Sequence, residues 1–385
     1  MSTNEQPDAA RIEANAAAIA VNPVYENERL AELTHWGAPW ANLRVVVVGM
    51  GTSGDAVTDV LAQLGAHIVV IDGADTPEKR ERIEIYKNAY GNVEGLFGPE
   101  HMRALPLVDG QEPELVVTSP GVRPDHPVML DAYERRIQIW GDVELAWRLN
   151  ERSDCLTPKW LCLTGTNGKT TTVGMVDSIL KAAGKKSIQV GNVGMPIVYA
   201  IADDEPYEFF AVELSSFQLH WTYSMSPYAS VVLNIAEDHV DWHGSFDAYK
   251  ADKARVYEHT QVACIFNTDH VDTLRMVENA DVIEGARAIG FSSTEMPAVS
   301  MLGLAEDIMV DRAFLKNRYN EAYELAVLED LAPAPGKMPA KHTVENALAA
   351  AALCRAADID PKAVGAGLRS FKTGAHRNQL VGYAN

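Results

Sequence analysis

Twice in this chain an apolar, largely β-branched run stops abruptly at a glycine-rich turn, and the turn opens into a helical pattern. The first is Arg44-Val45-Val46-Val47-Val48 running into Gly49-Met50-Gly51-Thr52-Ser53-Gly54. The second is Trp160-Leu161-Cys162-Leu163 running into Thr164-Gly165-Thr166-Asn167-Gly168-Lys169-Thr170-Thr171. A short continuous apolar run is the mark of a strand buried on both faces, which requires parallel neighbours and covering helices. Two such starts predict two α/β domains, over 41–152 and 153–374. The junction falls in the polar stretch Glu151 to Lys159, where Pro158 breaks any helix. Residues 1–40 are Ala-rich and acidic and read as an extension with one short helix.

The alternation continues within each half. A helix to Leu64 and a strand His67 to Ile71, closed by Asp72, complete a βαβ unit, and runs at Leu115-Val116-Val117 and Ile137-Gln138-Ile139-Trp140 lead to a helix at Asp142 to Asn150. In the second half, strands are expected near Phe209 to Val212 and Ser230 to Leu233. Short alternating segments over about 285–340, with Pro333, Pro335 and Pro339, suggest a small antiparallel patch. Helices are expected at Thr343 to Ala357, with Thr343 as N-cap, and at Pro361 to Phe371. With 385 residues the chain is long enough for two or three cores. At 47% hydrophobic and 22% charged residues it is too apolar to be disordered, and a net charge of −20 argues against nucleic acid or an anionic membrane as the main partner. No apolar run reaches the roughly 18 residues of a membrane span and no basic leader is present, so a cytoplasmic location is expected. Cys155, Cys162, Cys264 and Cys354 lack CxxC spacing and read as reduced thiols.

The second turn carries the strongest chemical signal. Its backbone N–H groups and the helix start behind it form an anion nest, in which Lys169 would neutralise phosphates and Thr170 would offer a hydroxyl to Mg2+. It is a shortened form of the usual phosphate loop, since Leu163 stands where the first Gly belongs. The first turn has the spacing Gly49-x-Gly51-x-x-Gly54, with Asp72 eighteen residues on. It suits NAD, another nucleotide diphosphate, or a tight turn without ligand. Thr118-Ser119-Pro120-Gly121 adds donors near the same sheet edge. Glu213 ends an apolar strand, where a Mg2+-organising acid belongs in phosphate-loop enzymes, although a polar residue closing a strand is the plainer reading. Asn234-Ile235-Ala236-Glu237-Asp238-His239 closes another strand. On the helix that follows, Tyr249, Lys253, Val256 and Tyr257 share one face, so Lys253 points inward. Desolvation there would leave a neutral amine able to take up CO2 as a carbamate, the alternative being a snorkelling lysine paired with Asp252 or Glu258. His342 to Ala350 opens a helix bearing Asn346, and His376-Arg377 follows a later one.

In this order GTNGKTTT, GNVG (191–194), ELSSFQL (213–219), NIAEDH, the helix with Lys253, ENALAA and His376-Arg377 resemble the Mur ligases, and residues 213–219 look like the branch that adds D-glutamate. GMGTSG, Ser119-Pro120-Gly121 and GDVEL (141–145) match the first domain of that family. The resemblance implies a Rossmann-like UDP-sugar domain over 41–152 and a central ATPase domain over 153–374, with 375–385 starting a hinge. It implies a uridine-diphosphate site at Thr52, Ser53, Asp72, Ser119 and Gly121, and ATP held by Gly165, Thr166, Asn167, Gly168, Lys169, Thr170 and Thr171. Asn192 and Asn346 would face adenine, and Arg377 the ribose and phosphates. Two Mg2+ ions would be held by Thr170, Glu213, His239 and a carbamylated Lys253, with Lys169, Glu213, His239 and Lys253 as the catalytic set.

The reaction so implied is ATP-dependent. UDP-N-acetylmuramoyl-L-alanine is activated as an acyl phosphate, and D-glutamate then displaces phosphate, in an enzyme expected to be monomeric. Thr343 stands where the family usually has Asn. Family members also continue past the His-Arg pair into a third domain, so residues 1–385 are expected to bind nucleotides and to ligate poorly or not at all. A nucleotide-binding regulatory or scaffold fragment is the competing reading.

Overall fold

The computed structural model describes residues 22–334 and 336–372. After a short helix α1 (Glu28–Glu32), the chain builds a sheet from β1 (Arg44–Val48), β2 (His67–Asp72), β3 (Val93–Phe97), β4 (Leu115–Thr118) and β5 (Gln138–Gly141). All are parallel, in the order β3-β2-β1-β4-β5. β1 is central, which explains its unbroken valines: Val45 to Val48 are completely buried. Helices α2 (Thr52–Gln63), α3 (Pro77–Tyr90), α4 (Pro127–Glu134) and α5 (Asp142–Leu149) connect and cover these strands. The strand order reverses between β1 and β4, and the crevice at such a point is where open α/β sheets receive ligands.

The second sheet contains β6 (Lys159–Thr164), β7 (Ser187–Gly191), β8 (Phe209–Glu213), β9 (Ala229–Val232), β10 (Ala263–Asn267), β11 (Arg287–Phe291), β12 (Met301–Ala305), β13 (Ile308–Asp311) and β14 (Tyr323–Val327). Its order is β7-β8-β6-β9-β10-β11-β12-β13-β14. The helices are α6 (Lys169–Ala182), α7 (Ile197–Ala202), α8 (Ser216–His220), α9 (Val240–His243), α10 (Phe246–Ala254), α11 (Val271–Asn279), α12 (Lys341–Ala356) and α13 (Pro361–Ser370).

Three features differ from the sequence reading. The antiparallel strands expected over 285–340 are present, but they continue the second sheet. β11 and β12 extend the sheet in parallel and β13 and β14 finish it antiparallel, because Ile289, Phe291, Leu302 and Met309 bury in the same core as Leu161 and Ile265. α12 begins at Lys341, and the Ala340 carbonyl accepts from the N–H groups of Thr343 and Val344, so Thr343 lies inside the first turn and is not the N-cap. Residues 28–40 are packed onto the first sheet: Leu30, Leu33 and Trp40 are buried in its core, Arg29 pairs with Glu114 at 2.7 Å, and Arg148 donates to the carbonyls of Leu30 and Leu33. Residues 1–21 and 373–385 lie outside the described residues.

The two sheets share a continuous core that runs from Val45 and Trp140 to Trp160 and Phe210. At the join Trp147 stands edge-on to Trp160, with ring centroids 5.2 Å apart. Glu144 on α5 accepts from the N–H groups of Tyr223 and Ser224 and from the Ser224 hydroxyl, and pairs with Arg148. Glu144 is thus a buried charge of α5 satisfied from the second half, and Tyr199 of α7 adds a second tie by donating to Asp59 on α2 at 3.1 Å.

The far side of the second sheet depends on another buried pair. Arg355 of α12 meets Asp311 of β13 at 2.8 Å and donates to the carbonyls of Ile359 and Phe314. Leaving a buried charge without its partner costs about 3–5 kcal/mol. Arg355→Met is therefore expected to lower the unfolding free energy by about that amount, read from the urea midpoint at unchanged slope.

Candidate active site

β6 delivers the chain into the second glycine-rich turn at the sheet's carboxyl edge. Gly168 has φ +85°, and a Cβ there would overlap the Asn346 side chain, so only glycine fits. The side chain of Asn234 grips Asn167 from both sides, accepting from its N–H at 2.9 Å and donating to its carbonyl at 3.0 Å. The Thr166 hydroxyl accepts from the Ala236 N–H and lies 2.8 Å from the Tyr249 hydroxyl. The loop is thus braced by β9's exit and by α10 before any ligand arrives.

Two ammonium groups converge on this loop. Lys169 Nζ donates to the carbonyls of Gly165 at 2.9 Å and Thr166 at 3.1 Å. Lys253 Nζ donates to the same Gly165 carbonyl at 3.0 Å and to Thr164 Oγ1 at 3.2 Å, over the face of Tyr249. Lys253 is 2% exposed, as its place on the inward face of α10 requires. The alternative surface pair with Asp252 or Glu258 does not form. Asp252 instead accepts from His220, His243 and Arg255. Burial, reinforced by the charge of Lys169, pushes the Lys253 ammonium down to about 7 against the opposing pull of Asp238, Asp252 and Glu213.

β8 runs beside β6 with Glu213 in register with Leu163, so its carboxylate ends at the loop's base. Glu213 is 1% exposed. Its Oε1 accepts from Asn192 Nδ2 at 2.9 Å, and Oε2 has no partner among the described residues. A buried, unpartnered carboxylate oxygen is a donor waiting for a hard cation. Thr170, on the first turn of α6, supplies a hydroxyl, and a carbamate on Lys253 would supply further oxygens.

The structure places His239 in the turn that opens α9. It adopts the left-handed conformation (φ +50°), its ring packs on Phe217 at 4.8 Å, and Nε2 lies 3.4 Å from the Asp238 carboxylate. No hydrogen bond or ion pair joins it to Glu213 or Lys253 among the described residues, nor do three His, Cys, Asp or Glu side chains cluster there. The tight turn into α9 swings the imidazole onto the aromatic shelf. Asn192, expected opposite adenine, is committed to Glu213, to which its backbone N–H also donates. Asn346 abuts Gly168. Beside them the first turn of α6 borders a cavity of about 850 Å3 lined by Thr171, Met175, Thr343, Leu368 and Phe371. Arg377 lies outside the described residues.

The first glycine-rich turn is held from within. A Cβ on Gly54 would overlap the Gly49 carbonyl, and Ser119 Oγ donates to that carbonyl at 3.0 Å. Asp72 accepts from the N–H groups of Met50 and Ala74 and pairs with Lys79 at 2.6 Å. Burial alone would raise its carboxyl, but these donors hold it below the ordinary range. Ser53 Oγ donates to Asp142, while Thr52 and Gly121 stand exposed at the rim.

The sequence profile of the Mur ligase MurD-like N-terminal domain matches residues 43–141, and that of the Mur ligase middle domain matches residues 163–354. A UDP-N-acetylmuramoylalanine--D-glutamate ligase of Leifsonia xyli subsp. xyli is 45% identical over 92% of this chain and 69% of its own length. One of Streptomyces avermitilis is 46% identical over 88% of this chain and 69% of its own. The chain belongs to the Mur ligase family. A solved UDP-N-acetylmuramate:L-alanyl-gamma-D-glutamyl-meso-diaminopimelate ligase from Neisseria meningitides shares the fold, with a TM-score of 0.52 at 14% identity over 87% of this chain and 99% of that one.

Several residues that shape this Mur ligase site escaped the sequence reading. Asn234 was visible only as part of a strand-end motif, though an amide facing a glycine-rich loop is a natural brace. The buried set of Ser216, His243, Asp252 and His220 is assembled from three helices, and no linear spacing announces it.

Lys253 provides the direct check on the site's electrostatics. Its ¹³Cε resonance, assigned with Lys253→Arg, is expected to titrate near pH 7, against about 10.4 for an ordinary lysine. Between those values the unfolded chain holds the extra proton, so this group's contribution to stability rises as pH rises through that interval. Lys253→Met should flatten that rise in a urea series.

Proposed function

We propose that this chain carries the UDP-sugar and ATP portions of a cytoplasmic, monomeric ligase that joins D-glutamate to UDP-N-acetylmuramoyl-L-alanine, a step in peptidoglycan precursor synthesis. The observation that carries the reading is the meeting of Lys169 and Lys253 at the Gly165 carbonyl, one strand from the buried Glu213. The Lys169 charge beside the loop's N–H groups calls for a polyanion, which a triphosphate supplies, while the buried Lys253 amine beside it is free to become an anionic ligand. The choice of acceptor rests on the relatives' names and on residues 213–219.

In this reading the L-alanyl carboxylate attacks the γ-phosphorus. An O–P bond forms, the β–γ bridging bond breaks, and ADP leaves while Lys169 and the first amides of α6 offset the charge. The D-glutamate amine then attacks the acyl carbon, loses a proton, and phosphate departs from the tetrahedral intermediate. Bound Mg2+, in two ions, neutralises phosphate charge. Thr170, Glu213 and a carbamylated Lys253 are the oxygen donors that fit it. Carbamate formation needs the neutral amine that burial provides: CO2 adds to Nζ, a C–N bond forms and a proton is released. Thr52, Ser53, Asp72, Ser119 and Gly121 surround the diphosphate, and the cavity beside Thr171 receives the adenosine.

ADP release with UDP-N-acetylmuramoyl-L-alanine, with and without D-glutamate, separates this from a nucleotide-binding scaffold. D-glutamate-dependent release is expected from a chain extended to its relatives' length, and from residues 1–385 binding of both nucleotides with weak release. Failure of the extended chain to respond to D-glutamate sinks the ligase reading. In that extended chain Lys253→Ala should abolish turnover, with partial rescue by a small carboxylate such as formate. Unchanged activity would remove Lys253 from the mechanism.

A further inference from the structure

α5 holds two buried acids that face the second sheet, and they differ in a telling way. Glu144 has all its acceptor capacity engaged in docking. Asp142, at the start of the same helix and 3% exposed, uses only Oδ2, which accepts from Ser53 Oγ at 2.9 Å and from Gln218 Nε2 at 3.3 Å. Oδ1 is buried with no partner among the described residues. Leaving such an oxygen unpaired is unfavourable, and docking alone does not require it, since Glu144 already provides that.

What Asp142 joins explains its retention. Ser53 belongs to the first turn of α2 and lies within the Gly49–Gly54 turn itself. Gln218 belongs to α8, where its Oε1 accepts from the Ser215 N–H and its own N–H is capped by Ser215 Oγ. Ser215 follows Glu213 by two residues, and the intervening Leu214 is bonded to both Leu163 and Thr164 at the root of the phosphate loop. One carboxylate oxygen therefore spans the loop of the first domain and the strand end carrying Glu213 in the second, through three side chains.

We propose that Asp142 is a positioning residue that fixes these two nucleotide-facing segments against each other, so that occupancy of the first glycine-rich turn is felt at the phosphate loop. The inference rests on the two-nucleotide reading above. A ligand on the first turn that shifts Ser53 moves one of the two side chains that donate to Asp142. The other donor, Gln218, holds the cap on which the Glu213 turn is built.

Calorimetric titration of residues 1–385 tests this with UDP and Mg–ADP as probes. Saturating UDP is expected to change the Mg–ADP dissociation constant at least fivefold, within the usual range for coupled sites. Asp142→Ala should bring that factor below twofold, while each ligand alone binds within threefold of the parent, and Asp142→Asn should restore part of the coupling. Gln218→Glu provides a second route if the alanine variant does not fold: it keeps the Oε1 acceptor for Ser215 and sets a like charge against Asp142, and coupling should again be lost. If both probes bind without coupling in the parent, or if coupling survives Asp142→Ala or Gln218→Glu, the proposal is overturned. It is equally overturned if the substitutions weaken both affinities together with the unfolding midpoint, since that marks a purely structural role. Failure of UDP or Mg–ADP to bind the parent at all overturns the two-nucleotide reading itself and the proposal with it.

Discussion

The Gly165 carbonyl accepts from two lysines, and most of the second domain's architecture serves that contact. With both Nζ atoms within hydrogen-bond reach of one oxygen, the charges lie no more than about 6 Å apart and repel by about 3 kcal/mol at an effective dielectric of about 20. Such an arrangement persists only if its surroundings are rigid. The glycine turn is braced by Asn234 and Thr166, β6 and β8 lock the register of Glu213, and α10 is pinned by the Asp252 network immediately before Lys253. The repulsion has a chemical outcome. It helps release the Lys253 proton near neutrality, turning a cation that obstructs the site into a nucleophile that can become an anion.

Both strand-to-turn junctions, the acid ending β8 and the inward face of α10 could be read from the chain because each is a local pattern: an apolar run, a glycine spacing, a helical periodicity. Where the structure adds to the reading, the deciding contact comes from elsewhere in the fold. His239 follows a strand as expected, yet Phe217, more than twenty residues earlier, draws its ring aside. Asn192 closes a turn of the expected kind, but β7 lies beside β8, and Glu213 claims its amide. Thr343 has the chemistry of a cap, and the helix starts before it because Ala340 supplies the first carbonyl.

The segments over 285–340 illustrate the same limit differently. Their alternation and prolines correctly suggest antiparallel strands, but alternation says nothing about which edge they join. The buried ion pair between Arg355 and Asp311 settles that. It ties the last strands to α12, so the helix that presents Asn346 to the phosphate loop is anchored at its other end to the sheet's extension.

The tryptophans at the join have a consequence for observation. Trp147 meets Trp160 edge-on across the boundary, and Trp40 meets Trp140 in the same way within the first half, beside the shared core. Indole emission depends on how dry and how crowded each ring is. Any hinging of one half on the other would uncrowd the Trp147–Trp160 pair and would also pull Trp140, whose indole N–H donates to the Tyr223 hydroxyl of the second half. The ring reporting on the join is therefore not a single one, and the join carries its own optical signal.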